Sequence, residues 1–253
     1  LQKPKNLQSV SAWITRAIPT PRRTPITFSY LTLLCVGYYI VYKVVPVDMG
    51  RRFLISISTT VPAMQSRPLI ALIGSMLVLT PPLWSISSFM TLVVGIAWCM
   101  GAIERRHGTS ICVAAFVAGH VGATLITTGV KIVGISAHFY NAPVLREYDF
   151  GPSYGTVAIM ALTIPLLPSL ARPVWLLGGI SYLLYLATWY GPIPDFTTVG
   201  HLSAVVIGLA CVAALHRRNN RPITRDMNKF GAPASGPPST HKAEVPGRES
   251  AHT

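Results

Sequence analysis

The chain has 253 residues, of which 51% are hydrophobic and only 11% charged. Water-soluble domains carry about 25% charged residues; here the few charges gather at the ends and in short connectors, which excludes an ordinary soluble domain and predicts a polytopic membrane protein. The net charge of +13 then calls for no nucleic acid partner, because basic residues accumulate on the cytoplasmic side of such proteins.

Residues 1–25 are polar and basic. Within them Leu7, Val10, Trp13, Ile14, Ala17 and Ile18 recur at helical spacing, which predicts a short helix lying on the membrane surface. Pro19, Pro21 and Pro25 break it. The first apolar segment covers 27–45, and its late start after a polar lead argues against a cleavable leader. A mixed region, 46–81, carries Arg51, Arg52 and Arg67. Its apolar run from Leu69 to Leu79 is too short to cross a bilayer and is expected to form helix at or in the outer surface. Segment two covers 83–103 and segment three 110–130. A polar loop, 131–150, holds Lys131, Arg146, Glu147 and Asp149. Segments four (152–170), five (174–191) and six (198–215) follow. The remainder, 217–253, is basic and rich in Pro, Gly and Ser, and is expected to be a disordered tail.

This gives three parts: an N-terminal segment 1–25, a six-span membrane domain 26–216 and the tail 217–253. Counting Lys and Arg orients them. With six spans both termini share a side, and that side collects thirteen basic residues near the membrane against six on the other, namely Lys43, Arg51, Arg52, Arg67, Lys131 and Arg146. The termini are therefore expected in the cytoplasm, and the protein in the plasma (inner) membrane. Cys35, Cys99, Cys112 and Cys211 all lie within apolar runs, without a C-x-x-C pair, and are read as buried apolar residues. No metal and no cofactor is expected.

Segments four and six both start on the outer face in this orientation. Ser153 and His201 lie within their first turns and so share a depth. Gly200, Ala204 and Gly208 on segment six, with Gly151 and Gly155 on segment four, supply the small faces that let membrane helices approach. Pro152 suits a helix start, where Ser153 would lie beside backbone N–H groups free to stabilise an oxyanion. His201 is the candidate base. Asp149 and Asp195 lie nearby, and neither has the spacing of an obvious third member. His120, within segment three, is expected to bond a neighbouring helix, and Glu104 with Arg105 and Arg106 to form a structural charge cluster. Trp98, Trp175 and Trp189 read as interfacial anchors.

These residues resemble the rhomboid intramembrane serine proteases. Gly101-Ala-Ile-Glu-Arg-Arg-His-Gly108 is similar to the end of that family's second helix, Gly151-Pro-Ser-Tyr-Gly155 to its G-x-S-G, and Gly200-His201 with Ala204 and Gly208 to its sixth-helix A-H-x-x-G-x-x-x-G. The resemblance implies an all-α, six-helix rhomboid-like bundle, with Ser153 as nucleophile and His201 as base in a dyad that cleaves a membrane-spanning protein. Two departures stand beside it. Tyr154 occupies the place of the glycine after the serine, and the family's H-x-x-x-N pair falls near Ser88 and Leu92. Supporting contacts for the oxyanion would then come from Gly151, Tyr154, Ser88 or Thr91. The alternative is an inactive relative that binds membrane protein clients; a transporter or channel subunit ranks last, since segments one and five hold almost no charge.

Overall fold

A computed structural model describes residues 18–80 and 82–219. The surface helix expected in the first 17 residues and nearly all of the tail lie outside them. By internal contacts the chain divides into Leu1–His216 and Arg217–Thr253, and the architecture below is that of the first unit.

Helix α1 (Pro25–Val44) begins on a proline whose missing N–H costs nothing there, and its last turn, Ile40–Val44, widens into π form. Three short helices follow: α2 (Val47–Ile57), α3 (Val61–Ser66) and α4 (Pro68–Ser75). At 1.5 Å per residue none approaches the ~30 Å of a bilayer core, so the apolar run from Leu69 is helical without spanning. Helix α5 (Ile86–His107) is π-wound from Met90 to Met100. Helix α6 (Thr109–Ser136) is the longest. A 3-10 turn at Ala142–Arg146 leads to α7 (Ser153–Leu162), then α8 (Ala171–Tyr185), a two-residue hairpin of β1 (Trp189–Tyr190) and β2 (Ile193–Pro194), and α9 (Phe196–Asn219).

Helices α1, α5, α6 and α9 are long and apolar enough to cross a membrane. The other two expected spans come out shorter. Segment four ends at Leu162 and continues only as a 3-10 turn, Ile164–Leu166, because Pro165 and Pro168 cannot continue the helix. Segment five yields 15 residues. Segment three is longer than expected, so Lys131 belongs to the last turns of α6 and not to a loop.

Helix α7 is the axis of the bundle. Tyr154, Gly155, Thr156, Ala158, Ile159, Ala161 and Leu162 are all buried, and glycines on its neighbours let it in. A Cβ on Gly200 of α9 would meet the Tyr154 ring and Thr127 at 2.6 Å, and one on Gly208 would meet Ala161 at 2.7 Å. Ala204, between them, is fully buried against α7 in a cluster with Tyr154 and Ala158. On the other side a Cβ on Gly155 would strike the Phe116 ring at 2.7 Å. The expected small face of segment six thus meets α7, whereas Gly155 of segment four turns away from α9 and packs against α6. A larger apolar core joins Tyr30 and Leu34 of α1, Ile96 and Ile103 of α5, Phe116 of α6 and Ile159 of α7.

The glutamate of the Glu104-Arg105-Arg106 group is a structural clamp. It is buried, and its carboxylate accepts the N–H groups of Ile26 and Thr27, each at 2.9 Å, and the hydroxyls of Thr27 (2.7 Å) and Thr109 (2.9 Å). One anion thereby caps the positive N-terminus of α1 and ties in the start of α6. Trp98 and Trp175 pack edge-to-face at 5.4 Å, linking α5 to α8, and the Trp175 indole donates to the Met160 carbonyl. The four cysteines are free; Cys99 and Cys112 are buried, whereas Cys35 lies exposed on α1.

Candidate functional site

Ser153 is the first residue of α7. The chain reaches it through Gly151, whose φ of +128° is a conformation glycine adopts readily. Three anchors fix this approach. The Gly151 N–H donates to the Ser75 carbonyl (2.8 Å), the Asp149 carbonyl accepts from the Thr59 N–H (2.9 Å) and hydroxyl (2.7 Å), and the Asp149 N–H donates to the Ser58 hydroxyl (2.9 Å). The short helices α2 to α4 therefore hold the turn that presents the serine.

Ser153 and His201 both line one cavity of about 660 Å³ between α5, α7, α8 and α9. Most of its wall is apolar, including Met90, Val94, Val157, Met160 and Leu183; Thr91, Asp195 and Thr198 add polar atoms beside the pair. No hydrogen bond joins Ser153 to His201, and the Ser153 and Thr91 hydroxyls have no partner among the described residues. The N–H groups of Ser153, Tyr154 and Gly155 open α7 ahead of its first intrahelical bond, from Thr156 to Pro152, and among the described residues they meet no acceptor. They are the orphan donors of a helix start, beside a nucleophilic oxygen.

The other expected supports fall elsewhere. The Gly151 N–H is taken by Ser75. The Ser88 hydroxyl donates to the Pro82 carbonyl (2.9 Å) and accepts from Ser85 (2.9 Å) at the start of α5; the cavity is lined by Ser87 and Thr91 instead. Tyr154 does not fill the cavity. Successive helix residues point about 100° apart, so when Ser153 faces the cavity Tyr154 turns into the bundle, where it is 3% exposed. Its ring stands edge-on to His201 at 4.9 Å and its hydroxyl donates to Asp149 Oδ2 at 3.0 Å.

Asp195 does a different job from Asp149. Its carboxylate accepts the N–H of Thr198 (3.0 Å), the hydroxyl of Thr198 (2.8 Å) and the N–H of Thr188 (3.0 Å), which caps α9 and holds the hairpin. His120 bonds a neighbouring helix: its Nε2 lies 3.0 Å from the Ser75 hydroxyl and 3.1 Å from the Leu72 carbonyl of α4.

A family model described as rhomboid-like protein matches residues 20–221, which takes in every helix from α1 to α9. The chain belongs to the rhomboid-like family. With four apolar helices of spanning length, it is an integral, all-α membrane protein. Comparisons with curated proteins and with solved structures returned no match.

Two features of this rhomboid-like site escaped the sequence. One is the direction of Tyr154, for which the 100° turn between successive helix residues was the available signal. The other is Lys131, which is 1% exposed. Its ammonium lies 3.7 Å over the Phe196 ring and donates to the Glu147 carbonyl at 3.1 Å. A lysine directly after a long apolar run was the clue, since a charge at the end of a spanning helix needs partners.

Proposed function

We propose that this rhomboid-like protein is an intramembrane serine protease, in which the Ser153 hydroxyl attacks a peptide carbonyl of a membrane-spanning protein and His201 takes its proton. The observation that carries the reading is the shared cavity. A serine oxygen and a histidine ring open on one space, at a helix start with unpartnered N–H groups. Those donors, with the Thr91 hydroxyl on the facing wall, suit an oxyanion and stand in for the side chains that α5 lacks. The attack forms a tetrahedral adduct on Ser153; His201 then returns the proton to the leaving amine, and water releases the acyl group. The basic-residue balance favours cytoplasmic termini in the plasma membrane, with Ser153 at the outer leaflet. The membrane domain 26–216 carries the activity.

The test is labelling by a serine-reactive fluorophosphonate, alongside cleavage of a single-span substrate in proteoliposomes. Ser153→Ala and His201→Ala are expected to abolish both with expression unchanged. Cleavage by Ser153→Ala at the wild-type rate would refute the reading.

One observation favours a second reading, an inactive relative that binds membrane protein clients. Ser153 and His201 share no hydrogen bond, and one side of the His201 ring is covered by Tyr154. That reading expects no Ser153-dependent labelling.

A further inference from the structure

Among the described residues no carboxylate is in hydrogen-bond contact with His201, and Asp195, the acid at the start of its helix, caps that helix. Another anion reaches it through one side chain. The Tyr154 ring packs on His201 at 4.9 Å, and the Tyr154 hydroxyl donates to Asp149 at 3.0 Å. Tyrosine here spans the distance between an acid in the loop before α7 and a histidine on α9. We infer that Asp149, acting through Tyr154, is the positioning group of His201. It holds the imidazole against the Ser153 side of the cavity and stabilises the imidazolium that forms when the serine is deprotonated. This rests on the protease reading above.

Three observations support it beyond the contact itself. First, Tyr154 is confined: Gly200 leaves no room on one side, since a Cβ there would lie 2.6 Å from the ring, and the residue is buried among α6, α7 and α9. A ring held on all sides transmits position. Second, the Asp149 backbone is pinned by Ser58 and Thr59, so its carboxylate has a fixed origin. Third, Asp149 has a cation and a hydroxyl donor set against its burial. Burial raises its carboxyl above the usual carboxylate range, while Lys131 of α6 and the Tyr154 hydroxyl pull it back. The charged groups around this array are therefore Lys131 and Glu147 on the Asp149 side and Asp195 on the His201 side.

The sign of the pH effect follows. His201 must be neutral to accept a proton, so the rate falls as pH drops through its titration. A nearby anion favours the imidazolium and places that acid limb at higher pH. Asp149→Asn removes the anion and keeps the shape, so the limb should move to lower pH while the maximal rate falls. A purely structural role would lower the rate and leave the limb in place.

The experiment measures the pH profile of fluorophosphonate labelling of Ser153 in the full chain, in proteoliposomes. Tyr154→Phe, which keeps the ring and cuts the link, and Asp149→Asn should each lower the maximal labelling rate by roughly tenfold, a part of the ~10²–10⁴-fold that a positioned acid–base group contributes. Asp149→Asn should also shift the acid limb downward. Wild-type rate and profile in both folded variants would overturn the inference and leave the protease reading standing. Fluorophosphonate labelling of Ser153→Ala at the wild-type level would defeat both. If Asp149→Asn fails to accumulate, the ¹⁵N titration of His201 in Tyr154→Phe decides: a shifted titration supports the link, and one identical to wild type refutes it.

Discussion

Two serine–histidine neighbours lie in this molecule, one level with α4 and one at the start of α7, and they differ in what surrounds the serine. Ser75 and His120 are in direct contact at 3.0 Å, and both are almost fully buried. The Leu72 carbonyl lies 3.1 Å from the same His120 nitrogen. A carbonyl only accepts, so that nitrogen carries the proton and cannot take one from Ser75. The remaining nitrogen, Nδ1, is buried without a partner among the described residues. Ser153 and His201 have no such bond, yet both open on a cavity and stand beside free backbone donors. Proximity thus marks the structural pair, and access with unspent donors marks the candidate reactive one.

The largest effect expected from that contrast is at the second pair. Ser153→Ala should reduce fluorophosphonate labelling to background, and His201→Ala should lower it by at least ~10²-fold, as loss of a general base does; equal labelling of wild type and both variants would erase the distinction. Next comes the packing that holds the second pair. Gly200→Ala drives a methyl toward the Tyr154 ring and Thr127, each 2.6 Å from its ideal position, and should destabilise by about 1–3 kcal/mol in a thermal melt, with weaker labelling. The first pair should behave oppositely. Ser75→Ala should leave the labelling pattern unchanged while costing about 1 kcal/mol of stability, since it removes a buried hydrogen-bonding group. A change in labelling chemistry there would break the comparison. Smallest is His120→Leu. It discards the contacts to Ser75 and Leu72 together with the unpaired Nδ1, and the gain and loss offset to within about 1 kcal/mol; a much larger loss in the melt would show that His120 carries more than its contacts to α4.

The membrane architecture was legible because charge is so sparse that each cluster marks a connector. The long helices α1, α5, α6 and α9 fall where apolar runs predict them. Their ends were less legible. Segment four reads as a span up to 170, and only the prolines at 165 and 168 hint that helical winding stops at Leu162. The π winding of α5 from Met90 to Met100 has no sequence signature. At the site, Ser153 and His201, singled out from the starts of segments four and six, line the same cavity. What the sequence left open was direction. Ser88 and Thr91 are equally polar on paper, but Ser88 folds back onto Pro82 while Thr91 faces the cavity. Lys131 illustrates the same limit: its charge suggested a loop, whereas the Phe196 ring and the Glu147 carbonyl accommodate it inside α6.

Helix α8 has no buried residue. It is fastened near one end by Arg172 and Trp175, and near the other through Thr188 and Asp195, while its middle forms a thin wall of the cavity with Leu177 exposed on the outer side. A wall one helix thick and greasy on its outer side makes the hydrocarbon phase the medium that adjoins the site. For the membrane-spanning substrate proposed above, the quantity that governs encounter is then a mole fraction in lipid and not a molarity in water. Rates measured at one protein and substrate concentration should fall as more lipid or detergent is added, by surface dilution alone, with no change in any contact described above.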